Sequence, residues 1–164
     1  MAGLEVCIVG LRRGQSLLGL NGHERVCVDL AIHSVRPLDF AGIYIPGGSS
    51  PDYLRADPRV IELVQRLFRT GRPIGALGHG PQILLTAGLV RGRRMTASPT
   101  VRIDLMAAGA TVLDREVVVD GNLVTSRAMQ QGDLDAFSTA FLSLLGAFSD
   151  WPLEDDVISV QLSG

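Results

Sequence analysis

The stretch "GALGHGPQILLTAG", residues 75–88, has the residue types of a reactive turn: an apolar run, a Gly-His-Gly apex and a helix start. "PIGAL" ahead of the apex is short and apolar enough for a buried strand. Pro81 suits a first helical position and Gly88 a C-terminal cap. A tight strand-to-helix turn of this kind lifts a nucleophile to the top of an α/β sheet. The apex residue here is Gly78, which has no side chain, and beside it stands His79, a residue type able to act as a general base. Unpaired N–H groups around Gly78, His79 and Gly80, at the head of a helix, favour negative charge. A second prepared strand end is "YIPGGSSPD", where Gly47 and Gly48 let the backbone approach a ligand and aim N–H groups at an anion. Together the two ends predict an oxyanion or anion site built from Gly47, Gly48, His79 and Gly80.

Such a site needs a sheet that brings both strand ends to one edge. "LEVCIVG" (4–10) and "FAGIYIP" (40–46) read as strands, and "SLLGLNGHERVCVDL" (16–30) reads as a hairpin around Asn21-Gly22. "EVVVDGNLVTS" (116–126) is a second hairpin, turned at Asp120-Gly121 or Gly121-Asn122. A helix starts at Asp57-Pro58, carries Val60, Ile61, Val64, Leu67 and Phe68 at helical spacing, and closes at Gly71. Two more helices are predicted over 98–109, capped by Ser98 ahead of Pro99, and over 133–148. "SSPDYLR" reads as an exposed turn, and Arg91, Arg93 and Arg94 as a solvated loop. Strands alternating with helices predict an α/β, three-layer sandwich with a mainly parallel sheet. In such sheets ligands bind beyond the carboxyl ends of the strands. No repeat or linker divides the chain, so residues 1–164 read as one domain.

Composition removes several function classes. All 15 basic residues are arginine, so neither a Schiff-base lysine nor a P-loop lysine exists. A net charge of −2 gives no electrostatic footprint for nucleic acid. No apolar run approaches the roughly 18 residues of a membrane span. The N-terminus has its arginines after the apolar stretch, unlike a signal peptide. The two cysteines, Cys7 and Cys27, form no metal-binding spacing, and both sit in apolar runs that predict burial. A cytoplasmic protein without metal or other cofactor is expected. His23 and His33 read as surface residues.

"YIPGGSSPDYLR", "GRPIGALGHGPQILLTAGLVRGRR" and "VVVDGNLVTSR" closely resemble the ThiJ/PfpI family of intracellular cysteine hydrolases. The similarity runs in order from residue 4 to residue 148. It implies the flavodoxin-like fold of class I glutamine amidotransferases, and activities described as intracellular protease, deglycase, glyoxalase or stress protein. In that family the turn reads Cys-His-Gly-Pro and the cysteine is the nucleophile. Gly78 occupies that position here, while the adjacent histidine is kept as His79. The family's acidic partner, often contributed by a neighbouring subunit, falls on Asp52, and its oxyanion donors fall on the N–H groups of Gly48 and His79. Ser126-Arg127 matches a family motif that supports the pocket.

Relatives also begin with a further strand and helix, bearing a glutamate that touches the cysteine. "LEVCIVG" matches the family's second strand, and neither Glu5 nor Glu24 takes that glutamate's place. The resemblance thus implies a vestigial His79–Asp52 pair in a catalytically impaired homologue with a binding, stress-related or assembly role. Two alternatives stay open: a hydrolase or lyase in which His79 and Asp52 activate water, and a structural oligomer subunit. The expected partners are a second copy of the chain and a small anionic or carbonyl ligand, with no nucleic acid and no membrane. A missing first strand would leave buried N–H and C=O groups unpaired. The tail, residues 149–164, carries the β-branched run "VISVQL" (157–162) after the polar break "SDWPLEDD", and that run is expected to fill the vacant place.

Overall fold

A computed structural model describes residues 4–19, 22–147 and 158–162. Strand β1 (Glu5–Gly10) leads into a hairpin of β2 (Ser16–Leu18) and β3 (Arg25–Cys27), followed by β4 (Leu30–Ala31) and β5 (Phe40–Ile45). Helices α1 (Ser50–Leu54) and α2 (Pro58–Arg69) precede β6 (Ile74–Leu77) and α3 (Pro81–Thr86). Next come β7 (Arg94–Met95), α4 (Pro99–Ala107), β8 (Thr111–Val112) and the hairpin of β9 (Val117–Asp120) with β10 (Leu123–Ser126). Helix α5 (Gln131–Ala147) and strand β11 (Ile158–Leu162) follow.

Seven strands form the main sheet in the order β4-β1-β11-β5-β6-β10-β9. Every neighbouring pair is parallel except the β9–β10 hairpin. This is the α/β architecture with a mainly parallel sheet that the alternation of elements predicts. One face of the sheet packs Val9, Phe40, Ile43, Ile45 and Ile74 against buried residues of α2 (Val60, Val64, Leu67), α3 (Ile83, Leu84) and α4 (Val101, Leu105). Each such side chain contributes roughly 1.5–3 kcal/mol on burial. Leu77 and Val124 on the opposite face meet Phe137, Phe141 and Leu145 of α5. That helix lies close because Gly75 has no side chain: a Cβ there would stand 2.6 Å from the Phe137 ring.

Strand β11 runs parallel between β1 and β5. It pairs from Glu5↔Ile158 to Val9↔Leu162 on one side and meets Gly42, Ile43 and Tyr44 on the other. The tail strand therefore stands at a central position of the sheet. The polar break 149–156, Val157, and Leu20 and Asn21 of the first hairpin lie outside the described residues.

Several sequence expectations are corrected. "SSPDYL" is not a turn but the short helix α1, started by Pro51 in its first turn. The α5 helix begins at Gln131, two positions ahead of the expected start. Cys7 is buried as expected, but Cys27 is exposed. The β2–β3 hairpin is a two-stranded sheet of its own, and its period of two turns Val26 and Val28 inward and Cys27 outward. The basic loop at 91–94 is partly structured: Arg94 starts β7, paired with β8, and Arg93 lies 5.2 Å over the Phe68 ring. Two-residue strands carry too little periodicity to be read in advance.

Candidate functional site

Four segments meet at the carboxyl edge of the sheet: the loop after β5, the turn after β6, the start of α4 and the loop after β10. Gly78, at the apex of the turn after β6, has φ +54°. That left-handed conformation is costly for residues with a side chain, at roughly 1–3 kcal/mol, and free for glycine. Space is not the constraint there. A Cβ on Gly78 would stand 3.6 Å from the Ala128 Cβ, 3.9 Å from the Arg127 carbonyl oxygen and 3.9 Å from the Gly47 Cα, all ordinary contacts. Gly80 is the opposite case, since a Cβ on it would lie 2.8 Å from the Ile45 carbonyl oxygen and 3.0 Å from Leu77 backbone atoms. The β5 and β6 ends can only come together over a glycine at that position.

The backbone donors divide clearly. Gly78 N–H donates to the Ser126 carbonyl at 2.9 Å and Gly80 N–H to the Leu77 carbonyl at 2.6 Å. Gly80 is thus removed from the anion donors expected from the sequence, because the tight turn consumes its proton. Among the described residues, the N–H groups of Gly47, Gly48 and His79 have no acceptor. Helix α3 has six residues, so its dipole adds little at this turn.

His79 is half-buried, and both of its ring nitrogens face hydroxyls: Ser98 Oγ is 3.3 Å from Nδ1 and Thr100 Oγ1 is 3.3 Å from Nε2. Asp52 sits exposed on α1, and among the described residues His79 has no carboxylate partner. Ser98 precedes α4 as expected, but its side chain caps no backbone N–H. Its hydroxyl is turned to His79 instead, and its own N–H donates to the Gly78 carbonyl at 3.0 Å. Sequence reading missed Ser98 and Thr100 as site residues. The Ser-Pro pair marked a helix start, and nothing in the pattern announced a contact with His79.

The wall beside Gly78 is held by charge. Arg127 donates to both carboxylate oxygens of Asp133 at 3.0–3.2 Å, and the buried Asp133 also accepts from Met129 N–H at 2.8 Å and Gln130 N–H at 3.3 Å. The Arg127 hydrogen bonds, against the cost of burial, hold the Asp133 carboxyl below the usual carboxylate range. These bonds fix the loop in which Ala128 takes φ +52°, facing Gly78. Arg127 also reaches Asp114 at 3.7 Å, which pairs with Arg102 at 2.9 Å. Asp114, Arg115, Glu116, Val117 and Arg127 line an open cavity of about 440 Å³. Burial, with a smaller contribution from Asp29, pushes the Cys7 thiol up, which makes it a poor nucleophile. Cys7 lies on β1 and Cys27 on the separate hairpin β2–β3. Among the described residues, no three His, Cys, Asp or Glu side chains converge on a common point, and no helix is long and apolar enough to cross a membrane.

A parallel sheet whose strand ends form a tight elbow with free N–H groups defines an α/β protein of the nucleophile-elbow type. This chain belongs to the DJ-1/PfpI family, whose model matches residues 1–144. It is 43% identical over 147 residues to Protein/nucleic acid deglycase 2 of Escherichia coli, covering 89% of this chain and 84% of that protein. It is 40% identical over 143 residues to Deglycase PfpI of Pyrococcus furiosus, covering 87% and 84% respectively. Among solved structures, it is similar to a two-domain protein of Anabaena variabilis with DJ-1/ThiJ/PfpI-like and ferritin-like domains, at TM-score 0.85 and 38% identity. That match covers 94% of this chain and 44% of the two-domain chain, so this chain spans less than half of it.

Proposed function

We propose that this chain is a thiol-independent member of its family, one that binds a small anionic or carbonyl ligand at the elbow and does not carry out cysteine chemistry. The observation that carries the reading is Gly78 itself: the position the family resemblance gives to the nucleophile holds no side chain, in a backbone conformation that glycine adopts without strain. The N–H groups of Gly47, Gly48 and His79, unpartnered among the described residues, support an oxyanion-like pocket in which a carboxylate or carbonyl oxygen is the natural guest. Neither cysteine supplies a substitute, because the Cys7 thiol is buried and raised, and Cys27 lies on the separate hairpin. A binding or protective role in a homo-oligomer fits this chemistry better than the deglycase activity named for its relatives.

The test pairs turnover with binding. Purified protein is expected to show no iodoacetamide-sensitive turnover of methylglyoxal-derived adducts or small peptides. Glyoxylate, which is both an anion and a carbonyl compound, is expected to raise the melting temperature in proportion to its occupancy. Alkylating a Gly78→Cys variant should then fill the pocket and remove that shift. Iodoacetamide-sensitive turnover by the unaltered chain overturns the reading.

A further inference from the structure

We propose that Ser98 is a nucleophilic hydroxyl activated by His79, forming an acyl-accepting site that takes small activated esters. The proposal rests on the preceding reading that the elbow itself carries no thiol chemistry. A neutral imidazole has one N–H and one lone pair. With a hydroxyl 3.3 Å from each ring nitrogen, one hydroxyl donates its proton toward the ring and the other accepts from it. A hydroxyl donating to an imidazole is the arrangement that activates a serine.

Four observations select Ser98 over Thr100 as that donor. Ser98 is fastened to the elbow by its N–H bond to the Gly78 carbonyl, while Thr100 is exposed. At a helix N-cap a serine oxygen ordinarily accepts a backbone N–H, yet this one makes no such bond. The nine-residue helix α4 begins at the next residue, so its positive end favours charge developing on Oγ. Finally, Ser98 is half-buried, so water is partly kept from its hydroxyl. Thr100 is then a positioning residue, accepting the Nε2 proton and holding the ring.

The chemistry balances without a further reactant beyond water. Ser98 Oγ bonds to the acyl carbon as the carbonyl π pair moves to oxygen, and the hydroxyl proton passes to His79 Nδ1. On collapse the bond to the leaving alcohol breaks, and that alcohol takes the proton from His79. Water, deprotonated by His79, then releases the carboxylate and restores Ser98.

The test uses the full chain with p-nitrophenyl acetate and an alkyl fluorophosphonate, followed by peptide mass spectrometry. The expected result is a phosphonyl adduct on Ser98, in the unaltered chain and in Cys27→Ser alike. Ser98→Ala is expected to lose the adduct, and His79→Ala to lower ester turnover by about a hundredfold. Ser98→Cys should retain turnover and become sensitive to iodoacetamide, a readout that a merely structural serine would not give. Melting curves establish that each variant is folded. A folded unaltered chain with no adduct on Ser98, or turnover that survives Ser98→Ala, overturns the proposal. Iodoacetamide-sensitive turnover of the unaltered chain would instead overturn the thiol-independent reading, so the two failures are told apart.

Discussion

Gly78 and Gly80 flank His79, yet the backbone needs glycine at each for a different reason. At Gly78 the need is conformational: φ is +54°, but the nearest atoms to a Cβ stand at 3.6 Å or more. At Gly80 the need is steric, with the Ile45 carbonyl oxygen 2.8 Å from a Cβ and no flexible side chain to give way. Gly78→Ala is therefore expected to fold with about 1–3 kcal/mol less stability. Gly80→Ala must part the β5 and β6 ends, and its loss is expected to exceed that of Gly78→Ala. Urea midpoints of the two variants check the order, and equal midpoints would contradict it. Gly78→Cys should behave like Gly78→Ala in stability and recover little thiol-dependent turnover. His79 is held by Ser98 and Thr100, and among the described residues no carboxylate pairs with it to help tune the new thiol. Robust iodoacetamide-sensitive turnover in that single variant would show that the elbow alone suffices.

Among the elements, β11 binds the sheet together. Its ladder is the connection between β1 and β5, while β1 reaches β4 only through Val9↔Leu30 and Gly10↔Ala31. Without β11, the facing edges of β1 and β5 would present unpaired groups inside the sheet. Each would cost roughly 1–3 kcal/mol, against a whole-domain stability of about 5–15 kcal/mol. Truncation after Phe148 is therefore expected to abolish soluble folding, as checked by expression and thermal melting. A truncated chain that keeps its melting temperature would make the tail an appendage. The strands β1, β5 and β6 were legible because buried parallel strands are continuous apolar runs, and α2 was legible from its spacing and its Asp57 cap. The reading of Cys27 failed because an apolar run does not say which sheet it joins. The Ser98–His79 contact was not legible because residues 19 positions apart meet only after β6 and α4 pack on one edge. The elbow glycines and His79 were legible because a tight turn writes its demands locally, in a few adjacent residues.

At the scale of the molecule, two helices carry exposed apolar side chains. Tyr53 is 76% exposed on α1, next to Asp52, and Ile103 and Met106 stand exposed on α4 three positions apart, on one face of that helix. An exposed tyrosine is of the type enriched at protein interfaces, where it acts as an anchor. A net charge of −2 sets little long-range repulsion between two copies. A homo-oligomer, at least a dimer, with α1 at the contact is the expected state, and it would carry Asp52 toward a neighbouring copy. Tyr53→Arg separates this from a purely structural effect, because a substitution at so exposed a position changes monomer stability by no more than about 0.5 kcal/mol. Light scattering at micromolar concentration should give a dimer or larger for the unaltered chain and a shift toward monomer for Tyr53→Arg. A monomeric unaltered chain refutes the expectation, and an oligomer indifferent to Tyr53→Arg moves the contact away from α1.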